Sequence, residues 1–198
     1  MTIGIIGAGN IGGAFARLLA RSGLQATIAN SRGPASLQHV VDPLAPYITA
    51  GTREEAASKD IVLIAVNWMK LPAAVAGLSW GNRIVIDANN PIEAPLFKPI
   101  DLRERASSEI VADLVPGARI VKAFNHLRSD VLVGDPRAEG GRRVLFYSGD
   151  DVDAKDEVGA LIERLGFFGL DLGVLATGAR MVQFPGGPLA VHNLVKYD

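Results

Sequence analysis

The sequence opens with "IGIIGAGNIGG", residues 3–13, in which an apolar run leads directly into a cluster of glycines. Gly7, Gly9 and Gly12 have the spacing G-x-G-x-x-G, which is weak evidence alone because the chain holds 22 glycines. Here, however, the spacing lies between a predicted strand and a helix that begins at about Ile11. In that context the first glycine permits a tight turn, the second leaves bare backbone beside a pyrophosphate, and the third lets helix and strand pack closely. The stretch predicts a phosphate-binding unit; the alternative is a glycine-rich turn that serves packing only.

The same alternation of strand and helix continues along the chain. Short apolar runs are separated by segments whose apolar residues recur at helical spacing, beginning with Ile11–Arg21. Strands that are apolar throughout and separated by helices are typical of a parallel sheet covered on both faces. We therefore predict a doubly wound, mostly parallel α/β fold of Rossmann-like type. The predicted strands are Thr2–Ile6, Gln25–Ala29, Ile61–Val66, Arg83–Asp87, Arg119–Ala123 and Arg143–Ser148.

Size and charge narrow the range of functions. A chain of 198 residues, 48% of them apolar, is long enough for one buried core and too short for two ordinary domains. We expect a single domain over residues 1–198 with a short C-terminal extension. The net charge of −1 gives no field that would gather nucleic acid or an anionic membrane. No apolar stretch approaches the about 20 residues of a membrane span and no signal peptide is recognisable, so we expect a cytoplasmic protein.

Thiol and metal chemistry have no support in the sequence. It holds no cysteine, and no spacing of His, Asp and Glu suggests a metal site. The acidic stretch "GDDVDAKDEVG", residues 149–159, has Asp156 where a calcium loop needs glycine. We interpret it instead as a helix start, where the helix dipole favours acidic residues.

The second predicted strand ends in "NSRGP", residues 30–34. Where a dinucleotide-binding unit holds NAD, an acidic residue near this point accepts hydrogen bonds from the ribose hydroxyls. A carboxylate would repel a 2′-phosphate, whereas a guanidinium with a nearby hydroxyl would hold it. Asn30, Ser31 and Arg32 supply neutral and cationic donors and no acid, which favours NADP. The alternative is a surface arginine in an ordinary turn.

Polar and aromatic residues also follow later strands. Ligands of open parallel sheets bind at the carboxyl ends of the strands, so a nicotinamide ring would lie there. The stretches are "VNWMK" at 66–70, "DANNPI" at 87–92 and "KAFNHL" at 122–127. As an alternative, Trp68 and Phe124 are core residues, and the asparagines only complete turns.

Six stretches together resemble a known family. They are "IGIIGAGNIGGAFARLLARSG", "NSRGP", "VNW", "SSEIVADLVPGARIVKAFNHL", "GGRRVLFYSGDD" and "FPGGPLAVHNL", which are distributed along nearly the whole chain. They resemble the NADP oxidoreductases that use the 8-hydroxy-5-deazaflavin coenzyme, their bacterial relatives and the cytosolic domain of animal metalloreductases. The segment "VKAFN" is the most specific of these features.

The resemblance implies which residues contact the cofactor. It implies NADPH binding by the glycine loop and by Ser31 with Arg32, and nicotinamide contacts from the later strand exits. This chain departs from the family at Ser36, near a second cation of the archaeal enzymes, and at His126, where many relatives have threonine. The candidate cofactor-binding residues are Gly7, Ala8, Gly9, Asn10, Ile11, Gly12, Asn30, Ser31, Arg32, Val66, Asn67, Trp68, Asn89, Ala123, Phe124 and Asn125.

The chemistry expected is hydride transfer between NADP(H) and a small-molecule redox acceptor, namely 8-hydroxy-5-deazaflavin, a flavin or a similar compound. Such transfer depends chiefly on positioning, and the sequence offers no clear acid–base group. His126 is the candidate catalytic residue, as a donor to the acceptor, although a lone loop histidine is more often structural. Two alternatives remain open: an NADPH-dependent reductase of a small imine or carbonyl, and a non-catalytic NADPH-binding module.

Little chain remains after the predicted sheet. Related β-hydroxyacid and pyrroline-carboxylate enzymes close their site with a long helical domain, which has no counterpart here. The acceptor site is therefore expected to be shallow, or completed by the tail or a second subunit. Because the apolar tail "MVQFPGGPLAVHNL", residues 181–194, has no second domain to pack against, we predict a homodimer.

Overall fold

The protein is built around one mixed β-sheet. A computed structural model describes residues 1–93, 96–137 and 140–197. Its strands in chain order are β1 Ile3–Ile6, β2 Ala26–Ala29, β3 Ile48–Ala50, β4 Ile61–Ile64, β5 Ile84–Asp87, β6 Ile92–Glu93, β7 Lys98–Pro99, β8 Arg119–Ala123, β9 Gly141–Gly149, β10 Phe168–Asp171 and β11 Val195–Tyr197. Within the described residues the order in the sheet is β10-β9-β8-β5-β4-β1-β2-β3, with β11 paired to β9, while β6 and β7 form a separate hairpin.

Helices connect most of the strands. They are α1 Asn10–Arg21, α2 Gln38–Val41, α3 Arg53–Ala57, α4 Leu71–Val75, α5 Ser107–Leu114, α6 Ser129–Leu132, α7 Val152–Arg164 and α8 Leu175–Val182, with 3-10 turns at Pro34–Leu37, Asp42–Leu44 and Trp68–Lys70. The acidic stretch of residues 149–159 contains the start of α7, as predicted. The side chain of Asp151 accepts a hydrogen bond from the amide of Ala154 at 2.8 Å and caps this helix.

The central strands bury both of their faces. Alternate side chains of β4 enter two different apolar cores: Leu63 lies in one with Phe15 of α1, and Ile64 lies in the other with Val111 of α5. Burial of one such side chain contributes about 1.5–3 kcal/mol, which is why these short β-branched runs form inner strands. The predicted doubly wound α/β fold is confirmed.

The strand order places a crevice beside β1. Strands β3, β2, β1, β4, β5 and β8 run parallel, β9 runs antiparallel to β8, and β10 runs parallel to β9. The chain moves outward from β1 to β3 and then returns to pair β4 on the other side of β1. Ligands of open sheets bind at such a reversal, outside the carboxyl ends of the strands.

Three strands of this sheet were not predicted, and one predicted strand is too long. The third predicted strand, Ile61–Val66, ends at Ile64. Strands β3, β10 and β11 were missed because they are only three or four residues long and partly exposed, so their pattern does not stand out from a loop. They become strands through pairing with a neighbour that is distant in sequence.

The C-terminal tail folds back onto its own sheet. Helix α8 contacts β9, and β11 pairs antiparallel with the same strand. The side chain of Val182 is 1% exposed and packs with Val144 and Phe146. The tail, which was expected to lack a second domain to pack against, thus packs against its own sheet. The homodimer stays a prediction, but the tail no longer supports it.

Gly178 provides a test of how α8 is seated. A Cβ atom at this residue would lie 2.4 Å from the Cβ atom of Ser148. Gly178→Val should therefore push α8 from β9 and lower the free energy of unfolding by about 1–3 kcal/mol, measured in urea. The control is Thr177→Val, which places the same side chain on the exposed side of α8 and should leave stability nearly unchanged. Equal stability of both variants would contradict the described packing.

Candidate functional site

A cleft of about 800 Å³ lies at the carboxyl ends of β1, β2 and β4. It occupies the crevice that the reversal of strand order creates. The glycine loop forms its floor, the turn after β2 forms one wall, and the first residues of α3 with the residues after β4 form the other. Its lining consists of Ile6, Gly7, Ala8, Gly9, Asn30, Ser31, Arg32, Gly33, Pro34, Thr52, Arg53, Glu54, Ala65, Val66, Asn67, Lys70, Ala73 and Ala74.

The three glycines of the loop have different steric surroundings. Gly7 has φ +109°, and a Cβ atom there would lie 2.2 Å from the carbonyl oxygen of Ala65. A Cβ atom on Gly12 would lie 1.8 Å from the carbonyl oxygen of Gly7. A Cβ atom on Gly9 would meet nothing within 4 Å. Gly7 and Gly12 are thus required by the fold, whereas the space over Gly9 is open for a ligand.

The N-terminus of α1 is free to hold an anion. Gly9 occupies the N-cap position without a side-chain cap, and the first turn contains no acidic residue. The first amide groups of a helix have no partner within the helix, and the helix dipole favours negative charge beside them. A pyrophosphate fits this position sterically and electrostatically.

The turn after β2 is fixed by its own hydrogen bonds. The Oδ1 atom of Asn30 accepts from the amide of Arg32 at 2.9 Å, and its Nδ2 atom donates to Oγ of Ser36 at 2.9 Å. Asn30 therefore shapes the turn, while Ser31 and Arg32 are exposed along the cleft. Ser36, near the place where the archaeal enzymes have a second cation, closes the turn by donating to the carbonyl oxygen of Gly33 at 2.8 Å.

The sequence analysis did not identify Thr52, Arg53 and Glu54, which line the wall of the cleft opposite this turn. The Nη1 atom of Arg53 donates to the carbonyl oxygens of Ala73 and Ala74 at 2.9 and 3.2 Å, which joins the start of α3 to α4. Its Nη2 atom lies 3.2 Å from the carboxylate of Glu54. The capping box "TREE" that begins at Thr52 is the sequence signal that could have identified a helix start at this strand exit.

The exits of β4 and β5 are joined behind the cleft. The amide of Val66, which lines the cleft, donates to Oδ1 of Asn89 at 2.8 Å. Asn89 itself is 2% exposed. The Oδ1 atom of Asn67 accepts from the amide of Met69 at 3.0 Å and begins the next 3-10 turn.

The aromatic side chains at the strand exits belong to the core. Trp68 is 9% exposed and lies in the core on one face of the sheet. Phe124 is fully buried and packs edge-on against Phe15, with 4.9 Å between ring centroids. Neither ring lines the cleft, so their positions do not favour a role as a platform for a nicotinamide.

Asn125 is buried with one polar atom unsatisfied. Its Nδ2 atom donates to Oδ1 of Asn90 at 2.9 Å and to the carbonyl oxygen of Val182 at 2.8 Å. Its Oδ1 atom is buried and accepts no hydrogen bond in the structure. Buried acceptors are almost always paired, so an unpaired oxygen at this place is unusual.

A charged pair that the sequence analysis overlooked is buried at the ends of β5 and β8. The Nζ atom of Lys122 lies 3.1 Å from Oδ2 of Asp87, and neither side chain is exposed. Lys122 also donates to the carbonyl oxygen of Asn89 and, at 3.4 Å, to Oγ of Ser107. Burial lowers the pKa of Lys122, and the charge of Asp87 opposes that shift. The signal in the sequence is a lysine and an aspartate within otherwise apolar strands.

His126 does not line the cleft. Its side chain is 1% exposed, and its ring centroid lies 4.8 Å from that of Phe146. Burial lowers the pKa of His126 to about 4, so the ring is neutral near pH 7. The catalytic role predicted for this residue stays a prediction without support from its position.

The structure brings together about half of the predicted cofactor-binding residues. Gly7, Ala8, Gly9, Asn30, Ser31, Arg32, Val66 and Asn67 line the cleft. Asn10, Ile11 and Gly12 form the first turn of α1 directly behind it. Trp68, Asn89, Ala123, Phe124 and Asn125 are buried at the neighbouring strand exits.

Comparisons with known proteins agree with this fold. Residues 2–91 match the family described as "NADP oxidoreductase coenzyme F420-dependent". The chain is 47% identical to the hypothetical protein SMa0349 of Sinorhizobium meliloti, covering 99% of this chain and 96% of that one with a TM-score of 0.94. It is 27% identical to a candidate F420-dependent NADP reductase from Arthrobacter sp. FB24, covering 88% and 86% of the two chains with a TM-score of 0.72.

A curated relative is longer than this chain. Metalloreductase STEAP3 of Rattus norvegicus is 29% identical over 185 residues, which are 92% of this chain and 36% of the relative. The chain therefore spans about a third of the length of the curated relatives it matches. Within the described ranges, no helix is long and apolar enough to cross a membrane. The same residues contain no group of three or more side chains suited to hold a metal ion.

The buried state of His126 predicts how stability depends on pH. The pKa falls from 6.5 in the unfolded chain to about 4 in the folded one, so the unfolded state binds the proton first as pH falls. The contribution of neutral His126 to the free energy of unfolding is complete above about pH 6.5 and is lost towards pH 4. Between pH 7.5 and pH 5 the free energy of unfolding should fall by about 2 kcal/mol. Urea unfolding at both pH values should show this loss in wild type and in His39→Gln, an exposed-histidine control, but not in His126→Leu. An unchanged pH dependence in His126→Leu would contradict the buried neutral state.

Proposed function

Because residues 2–91 match the NADP oxidoreductase family described as coenzyme F420-dependent, we propose that the chain catalyses hydride transfer between NADP(H) and a deazaflavin, flavin or similar redox acceptor. The observation that carries this proposal is the open N-terminus of α1 over Gly9. It combines unpaired amide groups, a helix dipole and a surface that no side chain occupies. When bound there, NADP(H) supplies the carbon that gives or takes the hydride.

The turn after β2 supports NADP(H) over NAD(H). Ser31 and Arg32 are exposed along the cleft and offer a hydroxyl and a guanidinium to a 2′-phosphate. Asn30 holds the turn by bonding to the amide of Arg32, so that the backbone there is ordered before a ligand arrives. Among the described cleft residues the carboxylate belongs to Glu54, whose charge is paired with Arg53.

An open apolar rim supports a flat acceptor. The hairpin strand β6 contacts the 3-10 turn Trp68–Lys70, which follows the cleft residues Val66 and Asn67. Large apolar side chains are exposed on this turn, at Met69, and between strands β6 and β7, at Leu96 and Phe97. A planar tricyclic ring has the apolar surface to cover such a rim and needs no deep pocket. Its stacking would align donor and acceptor atoms, which is the main requirement of hydride transfer.

The position of His126 argues against reduction of a small imine or carbonyl. That reaction needs a proton donor beside the reacting atom. His126 is buried, neutral near pH 7 and away from the cleft, so it is poorly placed to supply the proton. A non-catalytic NADPH-binding module, the other alternative, would bind NADPH but oxidise it with no acceptor.

Oxidation of NADPH against a panel of acceptors tests the activity. The panel contains 8-hydroxy-5-deazaflavin, flavins, ferric complexes, quinones and cyclic imines, and absorbance at the reduced nicotinamide band is followed. We expect turnover with the deazaflavin or flavin and little with the imines. Gly9→Asp is the control, because its carboxylate would enter the pyrophosphate space and should abolish binding and turnover. Turnover only with imines, or with no acceptor, would contradict the proposal.

Arg32→Ala tests the choice of cofactor. A hydrogen bond to a charged group contributes about 1.5–3 kcal/mol, so the dissociation constant for NADPH should rise about ten- to a hundredfold. The constant for NADH should hardly change, and the effect should shrink with salt because Arg32 is exposed. Calorimetry measures both constants, with Arg164→Ala in the last turn of α7 as an exposed-arginine control. Equal losses for NADPH and NADH would mean that Arg32 supports the turn rather than binding the phosphate.

A further inference from the structure

The buried pair of Lys122 and Asp87 is poorly explained as a source of stability. Removing two charges from water carries a penalty that their attraction scarcely recovers, and apolar replacements of such pairs are often neutral or stabilising. Asp87 and Lys122 lie directly opposite each other on the paired strands β5 and β8. What the pair does contribute is a fixed geometry for the residues bonded to it.

The pair holds Asn89 at three points. Asp87 Oδ1 accepts from the backbone amide of Asn89 at 2.9 Å and from its Nδ2 atom at 2.8 Å. The ammonium group of Lys122 donates to the carbonyl oxygen of the same residue. These contacts fix both the peptide and the side chain of Asn89, which cannot rotate without breaking a charge-assisted bond.

Asn89 in turn holds the wall of the cleft. Its Oδ1 atom, oriented by the bond from Nδ2 to Asp87, accepts from the amide of Val66 at 2.8 Å. Val66 lines the cleft on the side away from Arg32. The carboxylate of Asp87 is held from the opposite side by Oγ of Ser108, at 2.6 Å, at the start of α5. One buried ion pair thus ties together the ends of β4, β5 and β8.

We propose that the Lys122–Asp87 pair is a positioning pair for the nicotinamide half of NADP(H), an inference that rests on the proposed function. Through the buried Asn89 it sets the position of Val66, and the nicotinamide ring lies against Val66 in the cleft. The adenosine half is bound on the other side of β1, by the turn that contains Asn30 and Arg32. The pair therefore affects one half of the cofactor and not the other.

Comparison of a whole cofactor with its adenosine half tests the proposal. In the double variant Lys122→Met/Asp87→Asn the charges are removed together, and the introduced carboxamide keeps an oxygen that can accept from the amide of Asn89. The dissociation constant for NADPH should rise about tenfold, the equivalent of one or two hydrogen bonds, while that for 2′,5′-ADP stays within about twofold. Once an acceptor has been identified, kcat should decrease by a larger factor than KM changes. The reason is that misplacement of the nicotinamide ring by about 1 Å costs up to a hundredfold in rate.

Two further variants keep the test decisive. Ser108→Ala removes one donor to Asp87 and should give the same selective loss, of about threefold, even if the double variant does not fold. Lys155→Met breaks the ion pair with Asp171 between α7 and β10, away from the cleft, and should change neither constant.

The outcomes separate the two hypotheses. Equal losses for NADPH and 2′,5′-ADP, or no loss for either, would overturn the positioning role and leave the pair a purely structural feature. Failure of the wild-type protein to bind NADPH and 2′,5′-ADP would instead contradict the proposed function itself.

Discussion

The close approach of α1 to β1 is the contact on which the site depends. Because Gly12 has no side chain, the helix backbone lies directly over the carbonyl oxygen of Gly7. This approach directs the N-terminus of α1 into the crevice between β1 and β4, where its amide groups and dipole are unopposed. A methyl group at Gly12 would separate helix and strand, and the anion site would lose its floor.

A second constraint comes from polar residues at the ends of apolar strands. The inner strands are buried on both faces, so an unpaired polar group among them is costly and most such groups are paired. Asp87 and Lys122 are paired by bonding to each other and to Asn89 and two serines. Their network extends to Val66 and so connects the core of the sheet to the cleft.

The two sides of the cleft differ in how they are built. On the side of β2, exposed donors on a turn face the solvent, which suits recognition of a charged phosphate in water. On the side of β5 and β8, amides and an ion pair are buried and rigid, which suits the placement of a ring whose reaction depends on distance. His126 is buried and neutral near pH 7, and it does not line the cleft.

The alternation of strands and helices, the glycine loop and the cationic turn at Ser31 and Arg32 could all be predicted from the sequence. These are local features, since a turn, a helix start and an apolar period are each encoded within a few residues. The tertiary structure was needed to show that the tail packs on β9, that Phe124 and His126 are buried, and that Arg53 joins α3 to α4 beside the cleft. It alone brought Asp87 and Lys122 together, although they are 35 residues apart. The reason is physical: the partner of a buried charge or a short edge strand is chosen by the register of the sheet, which depends on pairing between segments distant in sequence.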